Sequence, residues 1–184
     1  MNIRVEGKQK RAQATREGIL EAYRALAANN HYDQISIAQI AEEAGVGKGS
    51  VLAHFSEKLA LPATLFAQKL DLISEELEAS SEPIDAQALN LILNTILDFT
   101  FTDDVYARLV VGEGLEVCRQ VIEPSDTRLF AQVHERLITR LKDQPDMQIE
   151  AVRALFAHAV VLKRTCYTAD EVKDLLARLI NALL

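Results

Sequence analysis

Residues 36–55 read Ser36-Ile37-Ala38-Gln39-Ile40-Ala41-Glu42-Glu43-Ala44-Gly45-Val46-Gly47-Lys48-Gly49-Ser50-Val51-Leu52-Ala53-His54-Phe55. Ser36 is a strong helix N-cap, and Gln39 three residues on completes a capping box. Ile37, Ile40, Ala41 and Ala44 recur at helical spacing, so one face of this first helix is apolar. Ala41 is small where a second helix must cross closely. Gly45 stops the helix, because a left-handed backbone costs glycine little. Val46 and Val51 anchor the far side of the turn. The spacing predicts helices over 37–44 and 47–54 joined by a tight turn, the motif that presents its second helix to the major groove of DNA. An ordinary helical hairpin is the competing reading, and the ordered sequence of cap, small residue, glycine and valines argues against it.

Working outward, 184 residues suffice for one large domain or a small domain joined to a larger one. Hydrophobic residues make up 49% and charged residues 26%, the mix of a globular, water-soluble chain. Ala and Leu dominate and β-branched runs are scarce, which predicts an all-α fold. No apolar run reaches the ~20 residues of a membrane span. The polar, basic N-terminus lacks the apolar core of a signal peptide, so a cytoplasmic protein with no membrane partner is expected. Cys118 and Cys166 are expected to be reduced and at least partly buried.

Charge is unevenly spread. Residues 1–60 carry 8 Lys and Arg against 7 Asp and Glu, whereas 61–184 carry 12 against 20. Arg4, Lys8, Lys10, Arg11 and Arg16 gather at the start with only Glu6 against them. A mobile basic arm over 1–12 ahead of the motif suits phosphate contacts, whose strength comes from counterion release.

Elsewhere the pattern predicts helices over about 15–28 and from Ser56 to about Ala79, with Pro62 imposing a kink or a late start. Ser80-Ser81-Glu82-Pro83 breaks the chain. Asp85 is expected to cap a helix to about Phe101. A further helix starts at Thr102-Asp103-Asp104, is weakened by Gly112 and Gly114, and ends at Pro124. Helices over about 126–142, 147–167 and 169–184 complete the chain, the last capped by Thr168 with Glu171.

The run Ile19-Leu20-Glu21-Ala22, Tyr32, Ser36 to Ala41, Ala44-Gly45-Val46, Lys48-Gly49-Ser50, His54-Phe55, then Lys58 and Leu61 resembles the N-terminal domain of the tetracycline-repressor (TetR) family of transcriptional regulators. The resemblance covers about a third of the chain. It implies a three-helix DNA-binding domain (1–56) and a helical ligand-binding and dimerisation domain (57–184). It also implies a homodimer on a palindromic operator, usually a repressor, released from double-stranded DNA by a small-molecule inducer. On the matching positions, Gly47, Lys48, Gly49 and Leu52 would face the bases, and Ser36, Ser50, His54 and Lys58 would grip phosphates. Lys48 can donate to guanine O6 or N7, and donors at helix starts suit phosphate. His54 reads equally as packing against Phe55. Two positions depart from the family: Leu52 stands where an aromatic, usually tyrosine, contacts DNA, and Ala53 is smaller than usual.

The inducer pocket is expected among the helices of 85–167. Its inward candidates are Phe99, Tyr106, Leu109 and Cys118, then Phe130, His134, Phe156 and Cys166. A four-helix dimer seam is expected from Leu155, Ala159 and Leu162 on one helix and Leu176, Leu179, Ile180 and Leu183 on the next. The second stripe is wide for a helix with one buried face. Glu113, Glu116 and Glu123 beside Arg119 read as a solvated face, and His134 and His158 as core or interface. No Cys/His spacing suggests a metal, no cofactor motif is present, and no nucleophile elbow supports an enzyme. Two other classes compete with this reading: an adaptor whose DNA contacts have decayed, and a small helical enzyme.

Overall fold

A computed structural model describes residues 3–137 and 145–184. Helices account for the described fold: α1 (Ile3–Ala27), α2 (Ile37–Glu43), α3 (Lys48–His54), α4 (Ala60–Ala79), α5 (Ala86–Thr100) and α6 (Asp104–Val110) come first. A single turn, α7 (Leu115–Val117), leads through a π-turn at Cys118–Ile122 into α8 (Glu123–Arg136), and α9 (Pro145–Thr165) and α10 (Ala169–Leu183) follow. By its contacts the chain divides into two compact units, Met1–Leu65 and Phe66–Leu184.

In the first unit, α1 packs on α2 and α3 through Ile19, Leu20 and Tyr23 against Ile40, Val51 and Phe55, all buried. Ser36 caps α2 as its sequence predicts. Its hydroxyl accepts from the Gln39 amide at 3.2 Å, and the Gln39 side chain accepts from the Ser36 amide at 2.8 Å. Gly45 adopts φ 65°, and the Val46 amide turns back to the Ala41 carbonyl at 2.9 Å. That is the left-handed stop that releases the chain towards α3.

Over residues 3–12 the chain is not the expected arm but the start of α1, which is already helical at Ile3. Residues 8–17 are mostly good helix formers, and the two interior glycines of α1, Gly7 and Gly18, cost only ~1 kcal/mol each. Thr15 does not cap the helix but donates to the Arg11 carbonyl at 2.9 Å. Ser56 does not cap α4 either. The helix starts late at Ala60, which places Pro62 in its first turn, where a missing amide costs nothing.

In the second unit, Asp85 caps α5, accepting from the Ala88 amide at 2.8 Å. Thr168 and Glu171 form a reciprocal capping box on α10. Pro124 begins α8 instead of ending a helix, again because the first turn needs no proline amide. The break falls earlier, at Gly112 (φ 94°) and Gly114 (φ 66°). The end expected for this helix near Lys142 lies outside the described residues. Ile84 donates to the Arg136 carbonyl at 2.8 Å, and the Arg136 guanidinium donates to the Leu77 carbonyl at 2.6 Å, tying residues 80–84 to α8. The described part of α9 and all of α10 form the most extensively packed helix pair. No helix among the described residues is long and apolar enough to cross a membrane.

Gly45→Ala forces a side chain into the left-handed region, so it should lower unfolding stability by about 1–2 kcal/mol. Gly45→Asn should lower it less. Chemical denaturation of the intact chain measures both.

Candidate nucleic-acid interface and ligand cavity

The α3 helix is two turns long, and its inner side is fixed by Val51, fully buried, with Phe55 just after it, 2% exposed. The Arg16 guanidinium lies 4.4 Å from the centre of the Phe55 ring and closes this core from α1. With the inner side taken, Gly47, Lys48, Gly49, Leu52 and Ala53 are exposed on the outside, Leu52 at 47%. Ser50 and His54 lie half-buried on the flanks.

Two of these positions are informative for what they lack. A Cβ built on Gly47 or on Gly49 would meet nothing within 4 Å. Neither glycine adopts a positive φ. The fold therefore does not demand glycine at either place, and at Gly49, inside the helix, glycine is unfavourable by roughly 0.5–1 kcal/mol against alanine. A surface that must come within backbone distance of something outside the chain is a physical reason to keep them.

The residues expected to meet phosphates have different surroundings. Ser36 is exposed, and its hydroxyl proton goes to the Gln39 carbonyl oxygen at 2.8 Å as part of the capping box. Lys58 turns inward: its ammonium donates to the Tyr32 carbonyl at 2.6 Å and sits 3.9 Å from the Tyr32 ring centre. That contact holds the 3₁₀ turn at Tyr32–Gln34 against the start of α4. Of the basic cluster, Lys8, Lys10 and Arg11 are exposed along α1, whereas Arg16 is engaged with Phe55.

The second unit holds an open cavity of about 440 Å³, within the range of small-molecule sites. Its apolar wall comes from Phe66 and Leu70 of α4, Ile96 of α5, Leu109 of α6, Phe130 of α8 and Phe156 of α9. Of the eight expected pocket residues, Leu109, Cys118, Phe130 and Phe156 line it. Phe99 and Tyr106 stand behind the wall, with Phe99 stacked on Phe66 at 6.0 Å and tilted against Tyr106 at 4.6 Å. His134 is half-buried away from the cavity lining, its Nε2 enclosed without a hydrogen-bond partner. Cys166 is exposed, contrary to the inward position expected of it, because it follows the last turn of α9 where the chain bends towards α10.

The segment from Cys118 to Phe130 reaches the cavity by an irregular route. Cys118, Ile122, Asp126 and Phe130 all line it at four-residue steps. In a regular α-helix each such step overshoots one full turn by about 40°. The π-turn at Cys118–Ile122 is wider and absorbs the overshoot, so all four stay on one side. Arg119 and Glu123 border the cavity while remaining exposed, which places its opening on their side. At its polar edge, Arg153 of α9 donates to Asp126 at 2.7 Å and to Glu150 at 3.0 Å, and its guanidinium covers the Phe130 ring at 4.8 Å. Burial pushes the Asp126 carboxyl above the usual carboxylate range. Arg153 opposes this, and Glu150 and Glu123 add to it. Sequence reasoning missed Asp126 and Arg153, whose pairing links positions 27 apart.

No group of three or more metal-binding side chains is assembled among the described residues. A short recognition helix with a buried inner side and an outward face, joined by a glycine turn to a capped partner, defines a helix-turn-helix protein of the DNA-binding class. Residues 19–63 match the profile described as "Bacterial regulatory proteins, tetR family", so this stretch is similar to the helix-turn-helix domain of that family. No protein of curated function matches its sequence. Among solved structures, a TetR transcriptional regulator from Rhodococcus sp. RHA1 is similar at 12% identity and TM-score 0.73, covering 95% of this chain and 97% of that one. Thermus thermophilus FadR, a TetR-family repressor solved with lauroyl-CoA, is similar at 17% identity and TM-score 0.68, with 90% and 93% covered. RolR, solved with resorcinol, is similar at 16% identity and TM-score 0.68, with 96% and 90% covered.

Burial also pushes the Cys118 thiol up, and its Sγ donates to the Glu113 carbonyl at 3.2 Å. At neutral pH the exposed Cys166 should therefore react with a maleimide well before Cys118. Mass spectrometry of a labelling time course reads the order.

Proposed function

We propose that this regulator binds a palindromic operator as a homodimer, acts as a repressor, and is released by a small molecule bound in the second unit. Residues 1–56 are the DNA-binding domain in this reading, and 57–184 sense the ligand and dimerise. The observation that carries it is the outward face of α3: Lys48 and Leu52 exposed, with Gly47 and Gly49 open, over a buried Val51. Lys48 donates to a guanine edge, Leu52 touches a thymine methyl, and the two glycines let the backbone approach the duplex. Ser36, Ser50 and His54 hold phosphates. Lys58 adds to this grip from the turn before α4, with its inward contact to Tyr32 fixing where the charge sits.

A single recognition helix reads only a few base pairs, so two copies about one DNA turn apart (~34 Å) are needed for a selective site. The pairing surface is the α9–α10 face. Ala159, Leu176 and Ile180 are buried within the chain and build the pair, whereas Leu155, Leu162, Leu179 and Leu183 stay partly exposed. Leu155, Leu179 and Leu183, with Ala151, Ala154 and Ala182, form a shallow apolar groove suited to a second copy. Relatives of this fold were solved with lauroyl-CoA and with resorcinol, which supports the 440 Å³ cavity as the inducer site. Ligand binding shifts the population towards a spacing of the recognition helices that the operator does not match. The protein acts in the cytoplasm, without a membrane partner.

Mobility shift with the protein's own upstream DNA tests the reading. Lys48→Ala should cost about 1–3 kcal/mol on the specific site and little on random DNA. Gly49→Ala should melt no lower than the parent chain yet bind the site more weakly. Equal losses on specific and random DNA for Lys48→Ala would remove its base-reading role.

The pairing surface is tested separately. Leu179→Glu should convert the dimer to monomer in sedimentation velocity, with far-UV circular dichroism unchanged and operator binding lost.

A further inference from the structure

Charge in the first unit is divided in a way that the fold does not explain. Over residues 18–65, which hold the helix-turn-helix, three Lys and Arg stand against five Asp and Glu. Two of the three cations are engaged: Arg24 pairs with Glu21, and Lys58 donates to the Tyr32 carbonyl at 2.6 Å. Lys48 is left, exposed on α3 and without an ion pair among the described residues. A body with more acids than bases repels a polyanion, and one lysine per copy releases few counterions from a duplex. The balance reverses over residues 1–17, where five Lys and Arg face only Glu6 and Glu17.

The outward part of that basic stretch is helix without packing. Gly7 to Ala14 are exposed on every side of α1. The helical period fixes where their side chains point. Lys8 precedes Thr15 by seven residues and the buried Ile19 by eleven. It therefore lies on the side of α1 that packs on α2 and α3 further along. Arg11 flanks it one turn on, and Lys10 points to the opposite side. Arg16 marks the edge of the core, with its guanidinium over the Phe55 ring just past the last turn of α3. Arg11 and Lys8 overhang that edge by about 7–12 Å of helix. A major groove about 12 Å wide puts its bordering phosphates at that same scale from a helix lying in it. Like charges one turn apart on a helix repel, and neither Lys8 nor Arg11 makes an ion pair among the described residues. The pair also precedes residues 19–63, the stretch similar to the family profile.

We propose that the overhanging start of α1 is a second DNA-binding element, in which Lys8 and Arg11 hold duplex phosphates without reading sequence and supply the larger share of the charge-dependent affinity. The proposal rests on the first unit binding DNA.

Fluorescence anisotropy of the full-length protein over a salt series tests it, on one duplex from the protein's own upstream region and one of random sequence. The double variant Lys8→Gln/Arg11→Gln should weaken binding to both duplexes more than about tenfold near 0.1 M salt. The slope of log affinity against log salt should fall by about 1.8 per bound copy, two contacts at about 0.9 each. Lys10→Gln makes the same charge change on the opposite side and should stay within about twofold of the parent. Lys8→Arg should bind as the parent does. The double variant should melt no lower than the parent, because a repulsion has been removed. A parent that binds DNA and a double variant that keeps its affinity and slope overturn the proposal and leave the DNA-binding reading standing. Lys10→Gln as costly as the pair overturns it too, because the loss would then follow bulk charge and not the overhanging side. A parent that binds neither duplex overturns the DNA-binding reading, and the proposal with it.

Discussion

The outward face of α3 exists because its inward face is spoken for. A helix of seven residues has room for one buried stripe, and here Val51 and the adjoining Phe55 occupy it beneath α1. Burying a valine and a phenylalanine stabilises the unit by roughly 1.5–3 kcal/mol each, far more than any preference Lys48 or Leu52 has for its own direction. The exposed set follows from that packing and from Gly45, whose left-handed turn fixes where α3 starts. The outward residues of α3 are thus positioned by neighbours that point the other way.

The second unit solves a different problem. It must enclose a space without collapsing into it, in a chain whose elements are all helices over the described residues. Large rings from α4, α8 and α9 frame the space, and Phe99 and Tyr106 buttress Phe66 from behind. The pairing of Arg153 with Asp126 lets two ionised groups stand at the edge of an otherwise apolar wall. Each charge offsets part of the other's lost hydration, and the guanidinium spreads over Phe130.

Much of this was legible in the sequence, for reasons that are local. Both capping boxes, Ser36 with Gln39 and Thr168 with Glu171, are decided within four residues, as is the stop at Gly45. The reading failed where a residue type has two uses. Pro124 resembles a helix breaker but sits in the first turn of α8, where proline fits, whereas the late start expected around Pro62 is what α4 shows. The polar start of α1 shows no apolar period, so it resembled a free arm although its residues favour helix. The cavity edge was out of reach because Arg153 and Asp126 meet only through the packing of α8 and α9. Four of the eight expected pocket residues line the cavity because helical period alone points them the right way. Cys166 was misplaced because that period gives no information past a helix end.

The π-turn at Cys118–Ile122 has an implication for how such a chamber can be re-shaped. A widened turn is what a helix looks like when it has accepted one surplus residue and kept its flanks in place. Losing that residue would restore a regular spiral and swing everything before it by about a third of a revolution relative to α8. Cys118 and Arg119 would then rotate out of the lining while Asp126 and Phe130 stayed. One codon's worth of insertion or deletion at this point is therefore a quantised way to re-shape the chamber.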